Sequence, residues 1–355
     1  MTGMQGLWLI AGAAAACALP AVMLLTGRVR RYLIDRAILD VPGERSSHTR
    51  PTPRGAGLAL IPIVLLAFAA LNVTSTVPAG RAGWIVIVGT AVLAFVSWLD
   101  DRRGLNPATR LIAQLGWVVV GLFTLPPPGL IFQGVFPYWL DWAIAAALWL
   151  WFINAFNFMD GIDGIAGAET ASIGVGLALL ALAAPALFPF GALGLVLVGA
   201  AIGFLVWNWQ PARIFLGDVG SVPLGYLLGW LLLGIATQGA WAAALILPAY
   251  YLGDATLTLV LRLVRREKVW QAHREHFYQR AVRGGMSHRA VVLWVSLINL
   301  GLIGLAFVSL GDLTATLAAL GAAALIVAVL LWYFARALRI AIRERLSPSP
   351  GAEEH

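Results

Sequence analysis

Apolar runs of about 20 residues, the length that carries a helix across ~30 Å of hydrocarbon, recur along nearly the whole of this 355-residue chain. Backbone N–H and C=O groups find no water in that layer, so only helices and closed barrels cross it. A barrel is written in ~10-residue stretches of alternating apolar and polar residues, and such alternation is absent here. The sequence therefore predicts an all-α, polytopic integral membrane protein. We read eleven transmembrane helices, with ten as the alternative, at 6–26, 55–72, 83–99, 110–126, 139–157, 168–184, 190–208, 221–237, 240–261, 290–310 and 313–335.

Charge placement tests that count. A secretory leader carries positive charge ahead of its apolar region, whereas here no Lys or Arg precedes Arg28, and Arg30 and Arg31 follow it. The first run thus reads as an uncleaved helix with its N-terminus outside. Alternating eleven crossings puts 28–54, 100–109, 158–167, 209–220, 262–289 and the C-terminus in the cytoplasm. Those segments and their flanks hold all but Arg81 of the 24 Lys plus Arg, as the positive-inside bias requires. The net charge of +7 is spread over span ends, which suits membrane lipids and phosphorylated ligands and argues against nucleic acid. Cys17 is the only cysteine, so an intrachain disulfide or thiolate metal site is excluded. No connecting segment is long enough for a soluble domain. Residues 1–346 read as one multi-span domain and 347–355 as a short disordered tail.

Six aspartates stand in or beside the spans on one side of this topology: Asp100, Asp101, Asp160, Asp163, Asp218 and Asp254. Carboxylates at a membrane are costly and mark function by default. Gathered with arginines, they suit magnesium-assisted phosphate chemistry, in which hard oxygen ligands hold the cation and guanidinium groups clamp phosphate charge. Asp141 and Asp312, on the other side, read as ordinary loop residues.

Individual segments sharpen this reading. Asn154, Asn157, Asp160 and Asp163 recur every third residue, which on a helix would put all four on one face; a cap followed by a turn is the plainer alternative. Arg213-Ile-Phe-Leu-Gly-Asp218-Val-Gly-Ser221 reads as a glycine loop opening a helix, an anion-binding arrangement with a carboxylate for a cation. Asp100-Asp101-Arg102-Arg103 is either part of the site or a self-paired charge run. Asp254 lies deeper, and pairing with Arg262 is its structural alternative. His273 and His276 stand three apart among cations, placed to face one phosphate or sugar; this is also half of a zinc spacing, but the other histidines have no ligand spacing to them. Arg45, His48 and Arg54 lie in a first loop of turn residues and cations that is otherwise a surface connector.

Together these segments resemble the polyprenyl-phosphate N-acetylhexosamine-1-phosphate transferases, the membrane family containing the WecA-type and MraY-type enzymes. The resemblance runs from about residue 40 to 280. It covers DxPxxRxxH and GxG within Asp40–Gly57, the Asp100-Asp101 pair, NxxNFMDGIDG at Asn154–Gly164, FLGDxGS at Phe215–Ser221, the segment ending at Asp254 and the late histidine loop. It implies exchange of a sugar 1-phosphate from a UDP-N-acetylamino sugar to undecaprenyl phosphate, with Mg²⁺ (Mn²⁺ as an alternative), on the cytoplasmic face of a bacterial inner membrane. By similarity Asp218 is a magnesium ligand, with Asp100 and Asp101 near the metal and lipid phosphate. Asn157, Asp160 and Asp163 would help hold the nucleotide, Asn154 would belong to the same substrate-binding set, and Phe215 and Gly217 would line the uracil pocket. His273 and His276 would approach the diphosphate or sugar, and Arg45, His48, Arg54 and Asp254 complete the substrate-binding set. The late loop reads HxxH followed by Phe-Tyr-Gln, closest in look to the branch that initiates O-antigen synthesis. Ser46-Ser47 stand where family members often carry basic residues. An ion-coupled transporter would use Asp254 as a relay and carry inverted repeats, which we do not see. An intramembrane magnesium-dependent prenyltransferase leaves FLGDVGS unexplained. The oligomeric state is open, a homodimer included.

Overall fold

The computed structural model describes residues 3–42, 50–74, 76–77, 80–126, 130–268 and 273–346. Arg45, His48 and the 347–355 tail lie outside them. Helices carry almost all of it: α1 (Gly3–Asp35), α2 (Gly57–Val73), α3 (Gly80–Arg103), α4 (Pro107–Leu122), α5 (Tyr138–Met159), α6 (Ile165–Ala183), α7 (Phe188–Asn208), α8 (Asp218–Ile235), α9 (Trp241–Ile246), α10 (Ala249–Val264), α11 (Phe277–Arg283), α12 (His288–Val308) and α13 (Leu313–Leu346). The two-residue strands β1 (Leu39–Asp40) and β2 (Thr52–Pro53) pair antiparallel, Asp40 opposite Thr52. Among the described residues, α1, α3, α5 to α8, α12 and α13 are long and apolar enough to cross a membrane, and α2 and α4 are shorter apolar helices. This is the polytopic all-α class that the apolar runs predict.

Two expectations change. The span read as continuous over 240–261 is in two pieces, α9 and α10, with Leu247 and Pro248 between them. Proline has no N–H and its ring clashes with the preceding turn, so Pro248 instead precedes α10 and its carbonyl accepts from Leu252 N at 3.0 Å. Asp141 is no loop residue. It sits in the first turn of α5, fully buried, accepting from the N–H groups of Ile131 at 3.0 Å and Phe132 at 2.9 Å. Its carboxylate satisfies backbone donors that would otherwise be orphaned away from water.

Helix α8 is the axis. Every residue from Val219 to Ile235 is buried, and α3, α5, α2 and α7 pack around it. Against α5, the ring of Trp149 stacks on Tyr226 with centroids 4.8 Å apart and donates its indole N–H to the Tyr226 carbonyl at 3.0 Å. Side chains such as Leu66, Phe95, Ile112 and Leu300 point outward, forming the lipid-facing surface on which apolar groups carry no cost. Between helices in lipid, close van der Waals packing replaces the hydrophobic drive. One close crossing, Gly57 of α2 over Gly220 of α8, shapes the site: a Cβ on Gly57 would overlap the backbone of Gly220 and Val219.

Candidate active site

That crossing joins two segments 160 residues apart in the chain. The N–H groups of Gly55 and Ala56 bond the Phe215 carbonyl at 3.0 and 2.9 Å, Gly57 N bonds Leu216 O at 3.0 Å, and Phe215 N returns to Pro53 O at 2.8 Å. The first loop is therefore zipped to the FLGD segment by backbone bonds. Gly217, at φ 76°, takes a left-handed turn that favours glycine and starts α8 with Asp218 as its first residue.

Arg54 reaches from this zipper to Asp218 in a close ion pair and to Asp101 at 3.5 Å. Burial disfavours its charge, but Asp218, Asp101, Asp40 and Asp160 outweigh that and raise the guanidinium above its ordinary value. The Asp100-Asp101 pair divides. Asp101 faces Arg54 and accepts the Val219 N–H at 3.4 Å. Asp100 turns the other way, bonded to Leu105 N and to the Arg110 guanidinium at 2.7 Å each. Arg110 also lies 3.9 Å from Asp218. Asp218 is thus bracketed by two arginines and by Asp101, and the pair is not a free charge run.

The four polar residues spaced by three do not share one helix face. Helix α5 ends at Met159, Asp160 is its C-cap, and Gly164 at φ 83° starts α6, so Asp160 and Asp163 lie in the connecting turn. Asn154 bonds Gln114 at 2.8 Å, and Asn157 accepts from the Ser221 hydroxyl at 2.6 Å. Asp163 accepts from Ala212 N at 3.0 Å, and its own N–H meets His288 Nδ1 at 3.3 Å. Burial, opposed by Arg54 and reinforced by Asp218 and Asp163, pushes the Asp160 carboxyl up to about 8.

Two cavities meet here. The larger, about 540 Å³, is lined by Leu93, Val96, Leu111, Trp151, Phe158 and Leu259 together with Asp100, Arg110, Asn154, His273 and His276, among others. The smaller, about 240 Å³, is polar and is lined by Asp40, Arg54, Asp160, Asp163, Phe215 and Gly217, among others. Asn157, Asp218 and Gln279 line both. His273 and His276 lie with ring centroids 4.9 Å apart. Burial, with His276 and Arg262 adding repulsion, pushes His273 down to about 4, so it is neutral at pH 7.

Among the described residues, Asp254 is the one expected substrate ligand that lines neither cavity. It is fully buried and bonds His276, the start of α11, and the Tyr250 and Thr258 hydroxyls of its own helix. Arg262, its expected alternative partner, pairs with Glu267 at 2.8 Å. Conversely, sequence reasoning passed over Asp40, Arg110, Gln279 and His288. Asp40 stood in the first-loop pattern and Arg110 four residues after an Asn-Pro helix start, but no spacing marked Gln279 or His288 as facing a cavity.

Among the described residues no three His, Cys, Asp or Glu side chains form a cage for a metal. Magnesium does not need one, because it keeps waters and is held by one or two carboxylates plus substrate phosphates. Asp218 and Asp101, both partly exposed beside the junction of the cavities, fit that donor set.

Comparison with known proteins gives the same grouping. The Glycosyl transferase family 4 profile matches residues 83–236. The chain is 31% identical over 332 residues to the decaprenyl-phosphate N-acetylglucosaminephosphotransferase of Mycobacterium tuberculosis, covering 78% of each chain. It is 29% identical over 294 residues to the probable undecaprenyl-phosphate N-acetylglucosaminyl 1-phosphate transferase of Bacillus subtilis, covering 78% of this chain and 79% of the other. A Synechococcus phospho-N-acetylmuramoyl-pentapeptide-transferase is 32% identical over 249 residues, covering 62% and 66%. The chain belongs to glycosyl transferase family 4, the polyprenyl-phosphate N-acetylhexosamine-1-phosphate transferases of the WecA and MraY kind.

Proposed function

We propose that this protein transfers an N-acetylamino-sugar 1-phosphate from a UDP-sugar to undecaprenyl phosphate on the cytoplasmic face of a bacterial inner membrane, starting an O-antigen or other envelope polysaccharide. The observation that carries the reading is the pair of cavities sharing Asp218, Asn157 and Gln279. The larger, with its aliphatic and aromatic wall, suits a lipid whose phosphate lies beside Arg110. The smaller, with Phe215 and a ring of carboxyl and amide groups, suits a nucleoside. The diphosphate then spans the junction.

In the reaction a lipid phosphate oxygen attacks the β-phosphorus of the UDP-sugar, a new P–O bond forms, and the bond to the α-phosphate oxygen breaks, releasing UMP. One diphosphate is made as another is lost, so the chain's task is alignment and charge neutralisation. Arg54 and Arg110 supply positive charge on either side of Asp218. A phosphate monoester has its second pKa near ~6, so the acceptor is largely a dianion at neutral pH and needs no general base. Asp100, held by Arg110 and Leu105 N, reads as a positioning group. Magnesium, held by Asp218 with Asp101 and with Asp100 nearby, would neutralise diphosphate charge and orient it.

The test is to incubate membranes containing the protein with undecaprenyl phosphate and a panel of UDP-N-acetylamino sugars, and to identify the lipid by mass. A lipid diphosphate-sugar with one preferred sugar supports the proposal. No such lipid with any of the panel overturns it.

A further inference from the structure

Asp254 is a buried carboxylate one helical turn inside α10, and three of its five bonds go to the late loop. Its Oδ1 accepts from Phe277 N at 3.0 Å and Thr258 Oγ1 at 3.2 Å and lies 3.1 Å from His276 Nδ1. Its Oδ2 accepts from Tyr278 N at 3.1 Å and from the Tyr250 hydroxyl at 3.3 Å. The two backbone donors are the first N–H groups of α11, where a negative charge is favoured by the exposed donors and the helix dipole. The two backbone N–H groups can only donate to it, and the Thr258 and Tyr250 hydroxyls are placed to donate as well. A carboxylate so surrounded has acceptor capacity alone to offer the fifth, and His276 Nδ1 must therefore carry the proton.

The ring is held on its other sides as well. His276 is 4% exposed, it stacks on Tyr278 with centroids 5.7 Å apart and an interplanar angle of 17°, and its backbone N–H bonds Gln279 Oε1 at 3.3 Å. Tyr278 is anchored across the site by its hydroxyl to the Phe158 carbonyl at 3.1 Å. With Nδ1 committed to Asp254, the only ring nitrogen left for the larger cavity, which His276 lines together with Asp218, is Nε2. The tautomer of a histidine is set by the bond its other nitrogen makes.

We propose that Asp254 is a positioning residue for the transfer: it fixes His276 as the Nδ1–H tautomer and aims Nε2 at the diphosphate bound between the two cavities. What Nε2 meets rests on the transferase reading above, whereas the pairing with Asp254 does not. Asp254 touches neither substrate, so it acts through His276 alone.

The test has two arms on the full-length protein in detergent. In the first, the protein is labelled with ¹⁵N-histidine and the five histidines are resolved by their ring nitrogen shifts, the His276 signals being those lost in His276→Gln. A protonated Nδ1 is expected in the wild type, and a neutral ring protonated only at Nε2 overturns the proposal without need of any Asp254 variant. In the second, turnover is measured for Asp254→Asn, His276→Gln and the double variant. Each single change is expected to lower kcat about 100-fold, with KM for the UDP-sugar moved far less, and the double variant is expected to match the singles, because both remove one device. If Asp254 only caps α11, its loss lowers the activity of His276→Gln by a further large factor, which overturns the proposal. Asp254→Glu, which keeps a carboxylate, is expected to recover most of the loss if Asp254→Asn folds poorly. A wild-type protein that makes no lipid-linked product defeats the transferase reading instead, and the nitrogen shifts then decide the pairing by themselves.

Discussion

Replacing Gly57 by alanine adds one methyl group at the point where α2 crosses α8, and the structure sets the size of the effect. The new Cβ would overlap backbone atoms of Gly220 and Val219, which cannot rotate away as a side chain would. Helix α8 is buried along its length, so α2 must move. Overpacking of this kind costs about 1–3 kcal/mol. The displacement also stretches the bonds from Gly55, Ala56 and Gly57 to Phe215 and Leu216, all 2.9–3.0 Å now, and losing one adds about 1 kcal/mol. The total is about 2–4 kcal/mol. Because Arg54 rides on that zipper, its guanidinium leaves Asp218, and a misplacement of about 1 Å at such a site lowers turnover on the order of 100-fold. The assay is thermal unfolding of purified protein in detergent beside turnover per folded molecule. Gly116→Ala in α4 and Gly304→Ala in α12, where a Cβ meets nothing within 4 Å, serve as controls and should change stability by no more than about 0.5 kcal/mol. A Gly57→Ala protein with wild-type melting and turnover would refute the claim that this crossing builds the site.

Asp218→Asn should abolish UMP release from UDP-sugar while the protein stays folded in membranes; normal turnover would remove Asp218 from the metal and diphosphate. Asp141→Ala leaves the buried N–H groups of Ile131 and Phe132 without their acceptor, and should lower stability by about 2–5 kcal/mol with turnover per folded molecule unchanged. His273, pushed down to about 4 from an ordinary 6.5, binds its proton more weakly folded than unfolded. Its contribution to stability is complete above pH 6.5 and is lost as the pH falls towards 4; His273→Asn should flatten the fall in melting temperature across that window, and an unchanged slope would contradict it.

Many of the polar residues that converge on the two cavities were legible in the sequence because polar groups at span ends stand out against an apolar chain. Arg54, Asp101, Asn157, Asp160, Asp163, Asp218, His273 and His276 all reach one or both cavities or their ion pairs. What spacing could not give was geometry created by distant backbone. Nothing local says that Gly55 and Phe215 are bonded, so the backbone contact between the first loop and the FLGD segment could not be read from the sequence. Of the two readings of the Asn154–Asp163 spacing, a shared helix face and a cap followed by a turn, the structure has the turn, with Asp160 as the cap of α5. The left-handed Gly164 that starts α6 was visible only as a glycine. Asp254 and Asp141 were misjudged for a shared reason: a buried carboxylate that bonds backbone N–H groups has the same sequence signature as one that meets a ligand or solvent. Pro248 did signal a break, but the apolar run around it outweighed one proline.

The central claim is that the sugar travels together with a phosphate. Purified protein in detergent, given undecaprenyl phosphate, magnesium and a UDP-N-acetylamino sugar labelled in its β-phosphate, tests this directly. The account predicts that the label passes to the lipid as a diphosphate-sugar while unlabelled UMP appears in equal amount. Label that remains on the nucleotide as UDP, with sugar alone on the lipid or no lipid product at all, would contradict it.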